Sequence, residues 1–160
     1  MTAKFTVLGN TTLATASSTV TFSSIPGGHK DLVLVLESLS ASGSNLPIVR
    51  LNNDSGSNYT YVSARGSGSS ASSNSGTDSG IYSPGMNGSS TDKQLSKIEI
   101  FDYSATDKHK TVLLRSGQIG EGTVMSAFRW ADTSAITSLV VQSLNNNFAA
   151  GSTFRLLGVN

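Results

Sequence analysis

The chain has 160 residues, 37% of them apolar and only 13% charged, with a net charge of +1 and no cysteine. That length suits one domain, 1–160, with a real core, and low net charge beside strongly apolar runs argues against disorder of the whole chain. Lack of cysteine excludes a disulfide framework, a thiolate zinc site and a cysteine nucleophile, and the one basic cluster, Lys108-His109-Lys110, reads as a solvated loop rather than a nucleic-acid contact.

The first ten residues, Met1 to Asn10, lack the long apolar stretch of a signal peptide. No apolar run approaches the length of a membrane-spanning helix. The expectation is a product that stays where it is made unless an assembly carries it away, with no membrane partner.

The dominant period along the chain is two. Residues 1–17 read as an N-terminal arm. Ser18 to Phe22 alternates and then stops at Ile25-Pro26-Gly27-Gly28. Asp31 to Glu37 is the most apolar run, with Leu32, Leu34 and Leu36 on one face and Val33 and Val35 on the other. A strand apolar on both faces is central in a sandwich or lies under a subunit interface. Pro47 to Asn52 is a short strand, and Tyr59 to Arg65 is expected to pair with it. Between them Asn52-Asn53-Asp54-Ser55-Gly56 forms a turn, since Asn and Asp tolerate left-handed backbone and bond their own main chain.

Residues 66–90 read as a Ser/Gly-rich loop insertion, mobile or clamped by a neighbouring chain. Ile81, Tyr82 and Met86 are its sizeable apolar groups, so a short strand or contact anchor is expected near 80–83. Further strands are predicted at Gln94–Tyr103, Thr111–Gly117, Thr123–Trp130, Ala135–Leu144 and Ser152–Val159. The total is about nine or ten strands and no amphipathic helix. The predicted fold is all-β, a two-sheet antiparallel β-sandwich, jelly-roll-like, with the last strand returning to the middle of a sheet. Phe22, Leu34, Leu36, Ile100, Leu114, Phe128, Trp130 and Phe154 are the candidate core.

Chemical readings are weak by comparison. Asn52, Asp54 and Asn58 could be posed as a calcium loop, but one carboxylate is too few and Gly56 falls too early, so the turn reading is preferred. No serine sits in a Gly-x-Ser-x-Gly elbow beside His29 or His109. Glu99 and Asp102 stand at an odd offset and share no strand face, so they are no acid pair for glycoside hydrolysis. Trp130 alternates with Phe128 and reads as core or interface. The chain is expected to have no cofactor, no metal and no catalytic residues.

Several stretches in succession carry a resemblance. They are Val20-Thr-Phe22-Ser-Ser-Ile25-Pro26, Lys30-Asp-Leu32-Val-Leu34, Leu51-Asn-Asn-Asp54-Ser-Gly56-Ser-Asn58-Tyr59 and Gly66-Ser-Gly68-Ser-Ser. Further on come Ile98-Glu-Ile100-Phe-Asp102-Tyr103, Lys108-His-Lys110-Thr, Trp130, Ala135-Ile136-Thr137 and Phe148-Ala-Ala-Gly151-Ser-Thr-Phe154-Arg-Leu156-Leu-Gly158-Val. This order resembles small jelly-roll-like structural proteins of tailed bacteriophages, either capsid decoration (cement) proteins or tail-fibre C-terminal domains. Gly27-Gly28-His29 departs from the aromatic turn that many such proteins carry after the Ile-Pro pair.

The resemblance implies a virion protein, commonly oligomeric, and transfers no catalytic residue. The first expectation is a homotrimer that decorates the outer head surface, with the major capsid protein as partner. Leu32, Val33, Leu34, Val35, Ile81, Tyr82 and Met86 are then the candidates for the subunit or capsid interface. The alternative is a receptor-binding tail or head-fibre module, with host surface polysaccharide stacked on Tyr59, Tyr61, Tyr82 and Trp130.

Overall fold

The computed structural model describes residues 4–160, among which there is no helix. Thirteen strands follow in chain order. The first seven are β1 (Phe5–Thr12), β2 (Thr19–Phe22), β3 (Asp31–Ser38), β4 (Ser44–Asn45), β5 (Pro47–Leu51), β6 (Tyr59–Gly66) and β7 (Ala71–Asp78). The remaining six are β8 (Gly88–Ser89), β9 (Gln94–Ile100), β10 (Lys110–Gln118), β11 (Gly122–Trp130), β12 (Leu139–Ser143) and β13 (Thr153–Val159).

An eight-stranded antiparallel sheet runs β1-β13-β3-β9-β10-β11-β6-β7, and a three-stranded sheet runs β2-β12-β5. A two-stranded ribbon joins β4 to β8. The fold is thus a β-sandwich of unequal sheets, with the last strand, β13, inside the large sheet between β1 and β3.

One apolar core fills the interior. Val20, Phe22, Val49, Leu51, Leu139 and Val141 come from the small sheet, and Leu32, Leu34, Ile100, Leu114, Phe128 and Phe154 from the large one. All eight residues expected to build the core are buried. Each such side chain contributes about 1.5–3 kcal/mol on burial.

Four expectations need correction. Residues 59–65 do not pair with 47–52: β5 belongs to the small sheet and β6 to the large one, so the Asn52–Asn58 turn arches between sheets. Its side chains hold the arch from both ends, which is why no ladder between the two strands is needed. The 66–90 segment is not a structureless loop, because β7 pairs with β6 at every position from Tyr59↔Asp78 to Gly66↔Ala71. Backbone hydrogen bonding chiefly makes this strand, with the Asn74 amide donating to the Tyr61 hydroxyl, and its small polar side chains gave no periodic signal. In the predicted arm, Phe5–Thr12 is an edge strand on β13, with Phe5 and Val7 pointing to solvent. Residues 1–3 of that arm lie outside the described residues.

The fourth correction concerns Lys110, expected in a solvated loop. It is 1% exposed. Its ammonium donates to the carbonyls of Ala105 (2.7 Å), Lys108 (3.2 Å) and Thr133 (3.0 Å), pinning two loops at one end of the sandwich. Nearby, the Tyr103 hydroxyl donates to the Pro26 carbonyl and accepts from the His29 N–H, tying the Ile25-Pro26 stop to the turn after β9. As expected, residue 81 anchors its segment: Ile81 and Val49 exchange two backbone hydrogen bonds of 2.8 Å.

Candidate functional site

The Asn52–Asn58 segment, read from the sequence as a turn, has an architectural geometry. Asn52 and Asn53 both take left-handed backbone, with φ of 51° and 58°. Asn52 Oδ1 accepts from the N–H groups of Thr137 (2.8 Å) and Ser138 (3.2 Å), while its amide donates to the Ala135 carbonyl. Tyr59 returns across the arch: its hydroxyl accepts from Leu51 N–H and donates to the Asp54 carbonyl. Burial raises the Tyr59 pKa far above the ordinary phenol range, so the hydroxyl stays protonated and able to donate.

Both carboxylate oxygens of Asp54 face nitrogen donors. Oδ1 accepts from Gly56 N–H at 2.8 Å, and Oδ2 accepts from Asn58 Nδ2 at 2.9 Å and Trp130 Nε1 at 2.7 Å. The charge is balanced by N–H dipoles, which is the opposite of what a calcium ligand needs. Burial pushes the Asp54 pKa up, but the bonds from Asn58, Trp130 and Gly56 outweigh it, and the net position is below the ordinary 3.8. A carboxylate depressed in the folded state adds stability that is present above its unfolded pKa and lost as pH falls through the folded one. Chemical denaturation of wild type and Asp54→Asn is therefore expected to show an acid-side loss setting in below the ordinary 3.8, with the variant's profile flatter there.

Three of the four predicted glycan-stacking residues are unavailable for stacking. Tyr59, Tyr61 and Trp130 are buried, with Tyr59 and Trp130 stacked at a centroid distance of 6.4 Å. Tyr61 lies against Phe128 at 5.3 Å. Tyr82 is half-buried, edge-on to Tyr61, and its hydroxyl donates to that of Tyr61 at 3.1 Å. The two faces of alternation simply point these rings inward, between the sheets.

The predicted interface set fares similarly. Leu32, Leu34, Ile81 and Met86 are buried in the chain's own core and cannot meet a partner while it stays folded. Val33 and Val35 do lie on the outer face of the large sheet. There Val33 is buried between Leu157 and Glu99, its partners across the ladder, and Val35 is half-buried between Arg155 and Lys97. A strand apolar on both faces is thus covered outside by its neighbours' long side chains.

The open apolar surface lies further along the same face, on three strands the sequence reading did not single out. In one row across the sheet, Leu113, Ala127 and Val62 stand side by side, and in the next come Arg115, Met125 and Ala64. Val62 is 59% exposed, Met125 60% and Leu113 40%. Together they line a shallow groove of about 560 Å³. The signal was present: β6, β10 and β11 carry apolar residues at outward as well as inward positions, as β3 does.

A charged border flanks the groove. Glu99 sits between Lys97 (2.5 Å) and Arg115 (3.1 Å). The hydrogen bond from Lys97 is the main reason its carboxyl lies below the usual glutamate range, with Arg115 adding to it against burial. The open apolar groups thus lie beside a row of paired charges on the outer face of the large sheet. Comparison with known proteins adds no family: no family model matches the chain, and no curated protein matches it.

Proposed function

We propose that the chain is a structural protein of a tailed-phage virion, a capsid decoration protein that docks on the outer head surface through the open face of its large sheet. The observation that carries this reading is the groove of Val62, Leu113 and Met125, exposed on a rigid eight-stranded sheet with a charged border at hand. The resemblance described above supplies the class of partner, the major capsid protein. The reading is of a protein that acts by contact. Its carboxylates at Glu37, Glu99 and Glu121 are engaged with Lys93, Lys97 and Arg65, and Asp54 with N–H donors. The receptor-binding alternative retains Tyr82 as its one partly accessible ring.

The test is to add labelled protein to heads that lack it, and to image intact virions carrying it. Met125→Asp is expected to weaken head binding at least about 30-fold, as loss of a central contact does. Its stability should change by no more than about 0.5 kcal/mol, because the side chain is solvent-facing. Label confined to the tail, or unaltered head binding by Met125→Asp, contradicts the proposal.

A further inference from the structure

The four outer edges of the two main sheets are treated differently. β1 breaks its register with β13 between Val7 and Gly9. β2 is four residues long, and β5 is covered by the Ile81 segment. Those are the usual ways in which an edge is blunted. β7 has none of them: it is eight residues long, in unbroken register, exposed from Ala71 to Thr77, and uncharged until Asp78.

Its free hydrogen-bonding groups can be assigned. In an antiparallel ladder the N–H and C=O of one residue point to the same neighbour, and successive residues alternate. The Asn58 carbonyl accepts from Ala131 N–H, so even-numbered residues of β6 face β11 and odd-numbered ones face β7. Their partners are Ser72, Asn74 and Gly76, which leaves Ser73, Ser75 and Thr77 pointing outward. Of these, the Ser75 N–H already donates to the Asn74 side chain at 2.8 Å, so Ser73 and Thr77 carry the edge donors that a partner strand would meet.

We propose that a second copy of this chain completes the large sheet at β7 by antiparallel pairing of the two edges. A twofold axis perpendicular to the sheet reverses strand direction and keeps both outer faces on one side. The only charge on the strand, Asp78, then lies at opposite ends of the pair, so like charges do not meet. The second argument is area, and it rests on the docking reading above. Three strands and four or five residues span about 15 Å by 15 Å, roughly 200 Å² against the ~800 Å² per partner of a stable interface. Pairing at β7 sets two such grooves on one surface. It also gives β7, which has nothing apolar to bury, a second ladder to offset the entropy of ordering it.

The test uses the full 160-residue chain in solution, without heads, so it is read independently of capsid binding. Light scattering should give a concentration-dependent species of twice the 16.6 kDa chain mass. Backbone N–H exchange at Ser73 and Thr77 should slow at least about tenfold as it forms. Ser73→Pro removes only an outward donor, leaving the β6 ladder intact, and Thr77→Lys places a charge on the edge. Each is expected to return the mass to that of one chain, with thermal unfolding matching the wild type at concentrations where the wild type is itself monomeric, and Thr77→Lys decides alone if the proline variant does not fold. A wild-type chain that stays monomeric to millimolar concentration, with those amides exchanging freely, overturns the proposal. So does a dimer or trimer that both folded variants leave intact.

Discussion

Trp130→Ala is expected to cost about 3–5 kcal/mol of folding free energy, the range for deleting a large buried aromatic. Trp130 is 1% exposed, stacks on Tyr59 and donates to Asp54 at 2.7 Å. Its removal opens a cavity beneath the inter-sheet arch and takes one of three donors from the Asp54 carboxylate. For a chain of this size the loss corresponds to a fall in Tm of about 6–20 °C. Trp130→Phe keeps most of the ring contact and forfeits the N–H, so it should cost less, about 1–3 kcal/mol. A double-mutant cycle with Asp54→Ala should show coupling, since the two residues share one bond. A loss under about 1 kcal/mol for Trp130→Ala would contradict the role given to the arch, being far below the usual cost of such a deletion.

Lys110→Met is expected to cost about 3 kcal/mol despite a nearly conserved volume. The methionine fills the space of the aliphatic stem but leaves the carbonyls of Ala105, Lys108 and Thr133 without their donor. Lys108→Met is the control. Lys108 is exposed and makes only surface ion pairs, with Asp102 at 3.3 Å and Asp107 at 4.0 Å, so its replacement should stay within about 0.5 kcal/mol. Urea unfolding of the two variants in parallel measures the difference. Equal losses would mean that the buried ammonium holds nothing together.

Lys110 also marks where sequence reasoning stops. Alternation from Thr111 onward identified β10, yet a lysine between a histidine and a threonine carries no sign that three carbonyls will converge on it. Strands with an apolar inward face, such as Thr19–Phe22, Asp31–Ser38 and Gly122–Trp130, were legible because burial is what their pattern encodes. β7 was not, because Ala71–Asp78 buries almost nothing and is defined by its ladder to β6. Pairing was the other blind spot. The Asn52–Asn58 turn has the chemistry of a hairpin, and only the tertiary bonds from Asn52, Asp54 and Tyr59 convert it into an arch between sheets.

The site was half legible for a related reason. The doubly apolar β3 was visible, and it was read as an interface through core-facing Leu32 and Leu34 as well as Val33 and Val35, which form its outer face. In the fold that face is shielded by Leu157, Glu99, Arg155 and Lys97 from the adjoining strands. The same double apolarity in β6, β10 and β11 is diluted by Ser, Thr and Ala, so no single strand stands out. Only when the register aligns Val62, Ala127 and Leu113 in one row do scattered residues become a surface.

That surface is open to direct measurement, because the chain has no cysteine of its own. Met125→Cys can be modified with a maleimide in the free protein and again on phage heads to which the protein has been bound. Rapid modification in solution and strong protection on heads is the predicted result, with an exposed control position such as Ser67→Cys reacting equally in both. Equal reactivity of Met125→Cys in the two states would contradict docking through the open sheet face.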